Sequence, residues 1–419
     1  MKKEINKFLY FYRFLATVDI LNIPKLRFKE FTDEWKEYPL KYFTTPIKRK
    51  NTNNESDLPL TISSLDGLVD QRTYFNKVVA SKDMSNYYLL KKGEFAYNKS
   101  YSVGFPFGSI KRLDKYNQGA LSSLYICFQV NNMNSDFIVK YFESPKWHKQ
   151  ISLCVAEGAR NHGLLNVNIN DFFSTKHFLP QLVEQEKIAN FLSTVDKKIE
   201  NLENTITSLE NQKKGLLQQI FSQKLRFKDK NGNNYPNWEK KKLGDIGDII
   251  TGKTPETNKI EYWNGNILFV TPTDIKDNKY QLITQRYVNE CIKIRILPIN
   301  TIMFTCIGAT IGKIAISKKR CITNQQINSI IPQKDIYNEY IYYNLLKLVP
   351  KIRSSKSTTT LPIINKTEFS KIKIDIPCLE EQTKIADFLS AFDRKLDNQK
   401  AQLEHWQQIK KGLLQQMFV

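Results

Sequence analysis

Residues 180–221 read PQLVEQEKIANFLSTVDKKIENLENTITSLENQKKGLLQQIF, and residues 377–418 read PCLEEQTKIADFLSAFDRKLDNQKAQLEHWQQIKKGLLQQMF. The two stretches align without a gap at a constant offset of 197, and 21 of the 42 positions are identical. Self-similarity of this kind decides the fold before any local signal does. In the first copy apolar residues step by four and three through Ile188, Leu192, Val195, Ile199, Leu202, Ile206 and Leu209, then through Leu216 and Ile220. In the second they are Ile385, Leu389, Phe392, Leu396, Leu403, Trp406, Leu413 and Met417. A seven-residue repeat held this long is a coiled-coil seam, not one face of a generic amphipathic helix. Pro180 and Pro377 stand just upstream, where a chain can enter a helix but not continue one through. Each helix is about 40 residues, hence roughly 60 Å long at ~1.5 Å per residue. Neither seam can stay in water, and each is expected to take the other as an antiparallel partner. Lys213 and Lys410 fall at equivalent seam positions. Two readings stay open for them: polar keys that set register, or side chains that snorkel past the end of the seam.

Working outward, the duplication spreads over the whole chain. The segment after the first helix contains Leu225-Arg226-Phe227-Lys228, which repeats Leu26-Arg27-Phe28-Lys29, and Trp238 takes the part of Trp35. One repeat runs from about residue 24 to 222 and the other from 223 to 419. The expected division is an N-terminal extension at 1–23, a first domain at 24–178, a first helix at 179–222, a linker and second domain at 223–376, and a second helix at 377–419. The bodies between the helices, at 36–178 and 239–376, resemble each other little. Each mixes short β-like runs with turns, such as YYLLKKGEFAYNKS and SSLYICFQV in the first, and ILFVTPTDI and GKIAIS in the second. The expected class is α+β, with a pseudo-two-fold internal repeat. A scaffold copied strictly around unlike bodies points to two equivalent partners for the scaffold and two different targets for the bodies.

The 419 residues exceed one ordinary core, and an apolar fraction of 41% supplies at least two. The formal charge of +21 goes far beyond what solubility needs and points to a polyanion, since phosphate backbones reward dense Lys and Arg. Cys127, Cys154, Cys291, Cys306, Cys321 and Cys378 form no CxxC pair and no zinc or disulfide spacing, as expected of reduced thiols in the cytoplasm. The start, MKKEINKFLYFYRFLATVDILNI, mimics a signal peptide, but Arg13 and Asp19 interrupt its apolar run and it is too short to span a bilayer. No membrane is expected among the partners.

Ten short stretches carry a resemblance. They are LRFKEFTDEW (26–35), GEFAYNKSYS (93–102), LSSLYICF (121–128), ARNHGLLN (159–166), LPQLVEQEKIANFL (179–192), GKTPETNKIEYWNG (252–265), FVTPTDI (269–275), ATIGKIAI (309–316), TNQQINSIIP (323–332) and IPCLEEQTKIADFL (376–389). In this order, on a duplicated frame, they resemble the specificity subunit of type I restriction–modification enzymes over nearly the full chain. The resemblance implies two target-recognition domains held by two long helices, each domain reading one half of a bipartite, asymmetric site in double-stranded DNA. It implies docking to two modification (methyltransferase) subunits and two restriction (endonuclease and translocase) subunits. It also implies no catalysis and no cofactor in this chain, with S-adenosylmethionine, ATP and magnesium held by those partners.

A chemistry-bearing motif works only in its structural context. Gly247-Asp-Ile-Ile-Thr-Gly252-Lys253-Thr254 satisfies the P-loop string, but Pro255 and a turn-rich stretch follow where a helix is required. No Asn/Asp-Pro-Pro-Tyr/Phe tetrad, glycine-rich cofactor loop or nuclease core accompanies it. Glu203, Glu210, Glu380 and Glu381 read as solvated helix faces. DNA-contact candidates in the first domain are Tyr97, Asn98, Lys99, Tyr101, Lys111, Arg112, Arg160, Asn161 and His162. Lys111-Arg112 reads as a phosphate clamp, while Tyr97 and Tyr101 are open between DNA contact and half-buried strand positions. In the second domain they are Thr273, Asp274, Lys276, Arg286, Thr310, Lys313, Asn324, Gln325, Gln326 and Lys356. The amides at 324–326 match adenine edges or, equally, build a structural turn. Two other functions compete with the specificity subunit: a stand-alone duplicated DNA-binding protein, and a coiled-coil structural protein without sequence readout.

Overall fold

The structure, a computed structural model, describes residues 22–77, 79–102, 104–155, 165–356 and 363–419. Most of the expected N-terminal extension therefore lies outside the described residues. The chain divides into two compact units, residues 1–203 with 401–419 and residues 204–400. Each is α+β. The first long helix is Leu182–Phe221 and the second is Leu379–Gln416, and both run through the boundary between units.

In the first unit, one sheet has the strand order Thr44–Pro46, Ile126–Val130, Phe95–Asn98, Ser109–Arg112. A second has the order Gly67–Asp70, Pro59–Ser63, Gln118–Leu121, Tyr88–Lys91. Successive side chains on a strand point to opposite faces. Phe95, Tyr97, Ile126 and Phe128 accordingly enter a large core with the helix Ser135–Glu143, while Ala96 and Cys127 enter a smaller one with Leu60 and Leu121. Both faces of the sheet are covered, which is why its strands read as continuous apolar runs. A short antiparallel pair, Lys36–Pro39 with Lys176–Leu179, closes the body. His177 on this pair is buried, with Nδ1 2.8 Å from the Tyr141 hydroxyl and Nε2 2.8 Å from Thr175 Oγ1. Burial pushes its pKa down from 6.5 to about 3.

The second unit repeats the plan with different sheets. One has the order Gly247–Thr251, Ile327–Pro332, Ile302–Thr305, Ile314–Ser317, Tyr280–Gln281, and the other Arg286–Val288, Trp263–Val270, Cys321–Thr323. Ile302, Phe304, Ile314 and Ile316 face the core shared with the helix Asn338–Lys356, while Met303 and Ala315 face a smaller one.

What the units share is how the long helices begin. Glu184 is fully buried and takes a two-pronged ion pair from Arg27, Nε to Oε1 at 2.7 Å and Nη2 to Oε2 at 2.8 Å, plus the Trp35 indole N–H at 3.3 Å. In the second unit Glu381 takes Arg226 at 3.2 and 2.8 Å and the Trp238 indole N–H at 2.9 Å. The next residue repeats as well. Gln185 accepts from the Asn134 backbone N–H at 2.9 Å and donates to the Pro180 carbonyl at 2.8 Å. Gln382 accepts from Tyr337 at 2.8 Å and donates to Pro377 at 2.9 Å. The expectation of a solvated Glu381 is therefore corrected: it is 0% exposed and anchors its unit.

Within each unit the helices run antiparallel. In the first, Ile188, Leu192 and Val195 share a core with Leu413, Leu414 and Met417, and Lys410 reaches Asp196 at 2.7 Å. In the second, Leu217 and Ile220 share a core with Ile385 and Leu389, and Lys213 pairs with Asp393. Each seam lysine thus meets an aspartate of the other helix, so the register reading holds and the snorkelling one does not. Of the predicted seam, Ile199, Leu216, Phe392, Leu403 and Trp406 are half-buried and the rest are buried.

Breaking a buried pair strands the other charge, so Glu184→Ala and Glu381→Ala should each destabilise the chain by roughly 3–5 kcal/mol. The double change Arg27→Met with Glu184→Met should recover much of the first loss. Urea titration monitored by tryptophan fluorescence reads this, and an unchanged midpoint for Glu184→Ala would refute the anchor. His177 has a second consequence. Its folded pKa lies below its unfolded one, so its contribution is complete above pH 6.5 and falls as pH drops toward 3. The slope is up to about 1.4 kcal/mol per pH unit. Denaturation across that range should show the slope, and His177→Phe should flatten it.

Candidate nucleic-acid interface

The parallel pairing of Trp263–Val270 with Cys321–Thr323 brings both C-terminal ends to one edge of the second unit. The Asn324 N–H donates to the Val270 carbonyl at 3.1 Å, which joins the two following loops. Lys313 donates to the Pro272 carbonyl at 3.1 Å, Thr254 donates to the Gln325 side-chain oxygen at 2.8 Å, and the Gln285 N–H donates to Asp274 at 2.8 Å. The loops around 254, 273, 286, 313 and 325 therefore converge. At the strand end Gly252 is required by close approach: an added Cβ would lie 2.2 Å from the carbonyl oxygens of Thr323 and Asn324.

Thr273, Lys276, Arg286 and Gln325 present exposed side chains here. The Arg286 guanidinium lies 3.5 Å over the Trp263 ring, whose own N–H is held by the Glu256 carbonyl at 3.2 Å. A guanidinium stacked by its face keeps its in-plane donors for a ligand. Asp274 is not such a reader. Its carboxylate already accepts from the Thr271 N–H at 2.9 Å, the Thr271 hydroxyl at 2.6 Å and the Gln285 N–H, so it staples the loop. Asn324 and Gln326 bond each other, with Asn324 Oδ1 accepting from the Gln326 N–H at 3.1 Å and Asn324 Nδ2 donating to Gln326 Oε1 at 3.2 Å. This is the structural turn, and it leaves Gln325 outermost. Thr310 donates to the Ile307 carbonyl at 2.9 Å. The side chain of Lys356 lies outside what the structure describes.

In the first unit the candidates part company. Tyr97 is 0% exposed, stacked on Phe172 at 5.0 Å, and its hydroxyl donates to the Phe107 carbonyl at 2.8 Å. Its reading as a DNA contact is corrected to core. Tyr101, 59% exposed, lies beyond the strand end. Asn98 Oδ1 accepts from the Ser100 N–H at 3.0 Å, while Asn98 and Lys99 are half-buried. Gly108, at φ +75°, lets the return strand pass where a Cβ would lie 2.0 Å from the Asn98 carbonyl oxygen. Lys111 and Arg112 do not form a paired clamp, because neighbours on a strand face apart. Arg112 is taken by Asp114 and Asp136, both at 2.7 Å. Lys111 is half-buried near Glu143, Lys140 and Lys410. Burial lowers its pKa, Glu143 opposes that, and the two lysines add to it. Arg160, Asn161 and His162 lie outside the described residues.

A family model described as the type I restriction modification DNA specificity domain matches residues 235–405. The MjaIX type I restriction enzyme specificity subunit of Methanocaldococcus jannaschii is 35% identical over 210 residues, 48% of this chain and 48% of that protein. The putative MjaX specificity subunit of the same organism is 23% identical over 410 residues, 94% of this chain and 95% of that one.

The chain is similar to the specificity subunits of type I restriction enzymes.

The chain spans about half the length of the MjaIX and MjaVIII subunits it matches, 48% and 46%. The crystal structure of a type I restriction-modification system S subunit from M. genitalium shares the fold, with a TM-score of 0.57 at 18% identity over 95% of this chain and 99% of that one. In this chain the P-loop string has no P-loop context: Gly247–Thr251 is a strand, but an irregular loop and the 3-10 turn Ile260–Tyr262 follow it. Among the described residues no group of three His, Cys, Asp or Glu side chains could hold a metal ion, and no helix is long and apolar enough to cross a membrane.

Sequence reasoning missed Glu184, Gln185, Glu381 and Gln382 as anchors. The available signal was that the Glu-Gln pair repeats at the 197-residue offset while its neighbours Val183 and Glu380 differ. Tyr97→Phe tests the corrected assignment. It should cost about 1 kcal/mol through the lost hydroxyl bond and leave DNA affinity and sequence preference unchanged. Altered preference in a competition binding assay would return Tyr97 to the interface.

Proposed function

We propose that this chain is the DNA-recognition subunit of a type I restriction–modification complex and is itself non-catalytic. Segment 24–178 reads one half of a bipartite, asymmetric target and segment 223–376 reads the other, with the long helices setting the interval. Two modification subunits dock on equivalent surfaces and methylate adenine. Two restriction subunits add ATP-dependent cleavage, and S-adenosylmethionine, ATP and magnesium belong to those partners. Tyr101, Asn98 and Lys99 in the first domain, and Thr273, Lys276, Arg286, Lys313 and Gln325 in the second, are the proposed DNA contacts.

One observation carries this reading. The anchors recur at matched positions (Arg27–Glu184–Trp35 with Arg226–Glu381–Trp238, and Asp196–Lys410 with Lys213–Asp393), while the bodies on them are built from different sheets. Equal supports suit equal partners, and unlike bodies suit unlike half-sites. The charge of +21 suits a duplex, whose phosphates supply affinity while base edges supply the address.

Adenine methylation mapped across the genome, in cells with and without this gene beside its modification subunit, tests the proposal. A split motif should appear only with the gene. Exchange of residues 36–178 for the corresponding body of another family member should alter one half of the motif and spare the other. A change in both halves would sink the two-reader model.

A further inference from the structure

The Gly252-Lys253-Thr254 string is left without a role by the proposed function. Its Gly252 and Lys253 line a cleft of about 240 Å³ with Lys293, Arg295 and Thr323, on the edge where the candidate loops converge. We infer that Lys253, Lys293 and Arg295 form a phosphate-binding cleft for the DNA backbone, and that Thr254 ties this contact to Gln325. The inference rests on the DNA-recognition reading and adds a site to it.

Three cations surround the cleft, and all three are exposed. Among the described residues Lys253 and Lys293 have no acidic partner. Arg295 leans on Asp248 at 3.1 Å, with side chains 58% and 69% exposed. An ion pair so exposed is worth ~0–1 kcal/mol, so a phosphate can replace the carboxylate at little cost. Gly252 puts backbone directly on the Asn324–Gln326 turn, as no residue with a Cβ could. Lys253 is therefore adjacent in sequence both to the residue pressed on that turn and to Thr254, whose hydroxyl holds the Gln325 side-chain oxygen at 2.8 Å. A phosphate gripped by Lys253 would set the position of an amide able to meet a base edge. Such division of labour, in which phosphate contacts position and base contacts specify, is general for DNA readers.

The same chemistry could come from a free nucleoside triphosphate. The geometry favours the duplex. A nucleotide loop needs a helix N-terminus after the string, so that a fan of backbone N–H groups meets the phosphates. Here Pro255 and a turn follow, and the next element is the three-residue 3-10 turn Ile260–Tyr262.

The test uses the full chain with its modification subunits, a duplex carrying the mapped motif, a scrambled duplex and a fluorescent ATP analogue. For Lys253→Gln with Lys293→Gln, affinity should fall by the same factor on both duplexes. The slope of log affinity against log salt should become shallower by about 1–2, since each lost phosphate contact removes ~0.9. Lys253→Arg should keep the wild-type slope. Thr254→Val should keep the slope and relax discrimination at one position of the second half-site. An unchanged slope in the folded double variant would overturn the cleft. So would ATP-analogue binding that Lys253→Gln abolishes while the DNA slope stays fixed. Absence of any motif preference in the wild type would instead overturn the recognition reading, and the slope on either duplex would still judge the cleft.

Discussion

A carboxylate taken out of water must be paired, and the one on Glu184 is met by a guanidinium 157 residues away in sequence and an indole 149 residues away. That requirement ties the chain's early segment, the start of a long helix and the strand pair beside it into one body. Glu381 imposes the same requirement with Arg226 and Trp238. The glutamine that follows each glutamate does the neighbouring work, since its buried amide caps the body's own helix and the Pro-containing turn together. Orientation of each long helix against its body thus depends on a few buried polar atoms.

The seam adds direction. Apolar stepping alone would allow two helices to pair parallel or antiparallel, and in several registers. Asp196 and Asp393 each hold a seam lysine of the opposite helix within one unit. Burial pushes the Asp196 carboxyl up, but Lys140 and Lys410 outweigh it and keep it below the ordinary carboxylate range. In the second unit the charge cluster extends to the α+β body. Lys279 bonds Glu339 at 3.1 Å, Tyr343 at 3.1 Å and Ser390 at 2.8 Å. Lys279 lies three residues beyond the exposed Lys276, so the loop proposed to touch DNA springs from a residue pinned to the helix.

Parts of the candidate interface were legible and parts were not, for one reason. Residue type and strand position put polar groups at 97–101, 271–276 and 324–326, and chain topology does bring the second-unit set together. Within those segments, what each side chain does depends on its neighbour across the sheet. Tyr97 alternates inward with Phe95, so the core takes it. Arg112 meets Asp136 from a separate helix, and Asp274 meets the backbone N–H of Gln285, just ahead of the strand Arg286–Val288. No local pattern reports such partners. Lys253 was the reverse case, a residue set aside with a failed motif that three-dimensional proximity gathers with Lys293 and Arg295.

By itself the sequence determined the duplication, the helix period, the α+β character of two unlike bodies and the cationic charge that calls for a polyanion. These are properties of spacing and composition, and they survive any tertiary arrangement. Only the tertiary structure decided which polar groups are structural. In a heptad pattern a buried glutamate and a solvated one look alike, because the pattern records where apolar residues stand. It does not record whether an arginine over a hundred residues away has come to meet the carboxylate. Glu381 was misread on that account, and the same physical fact makes its burial the anchor of the second unit.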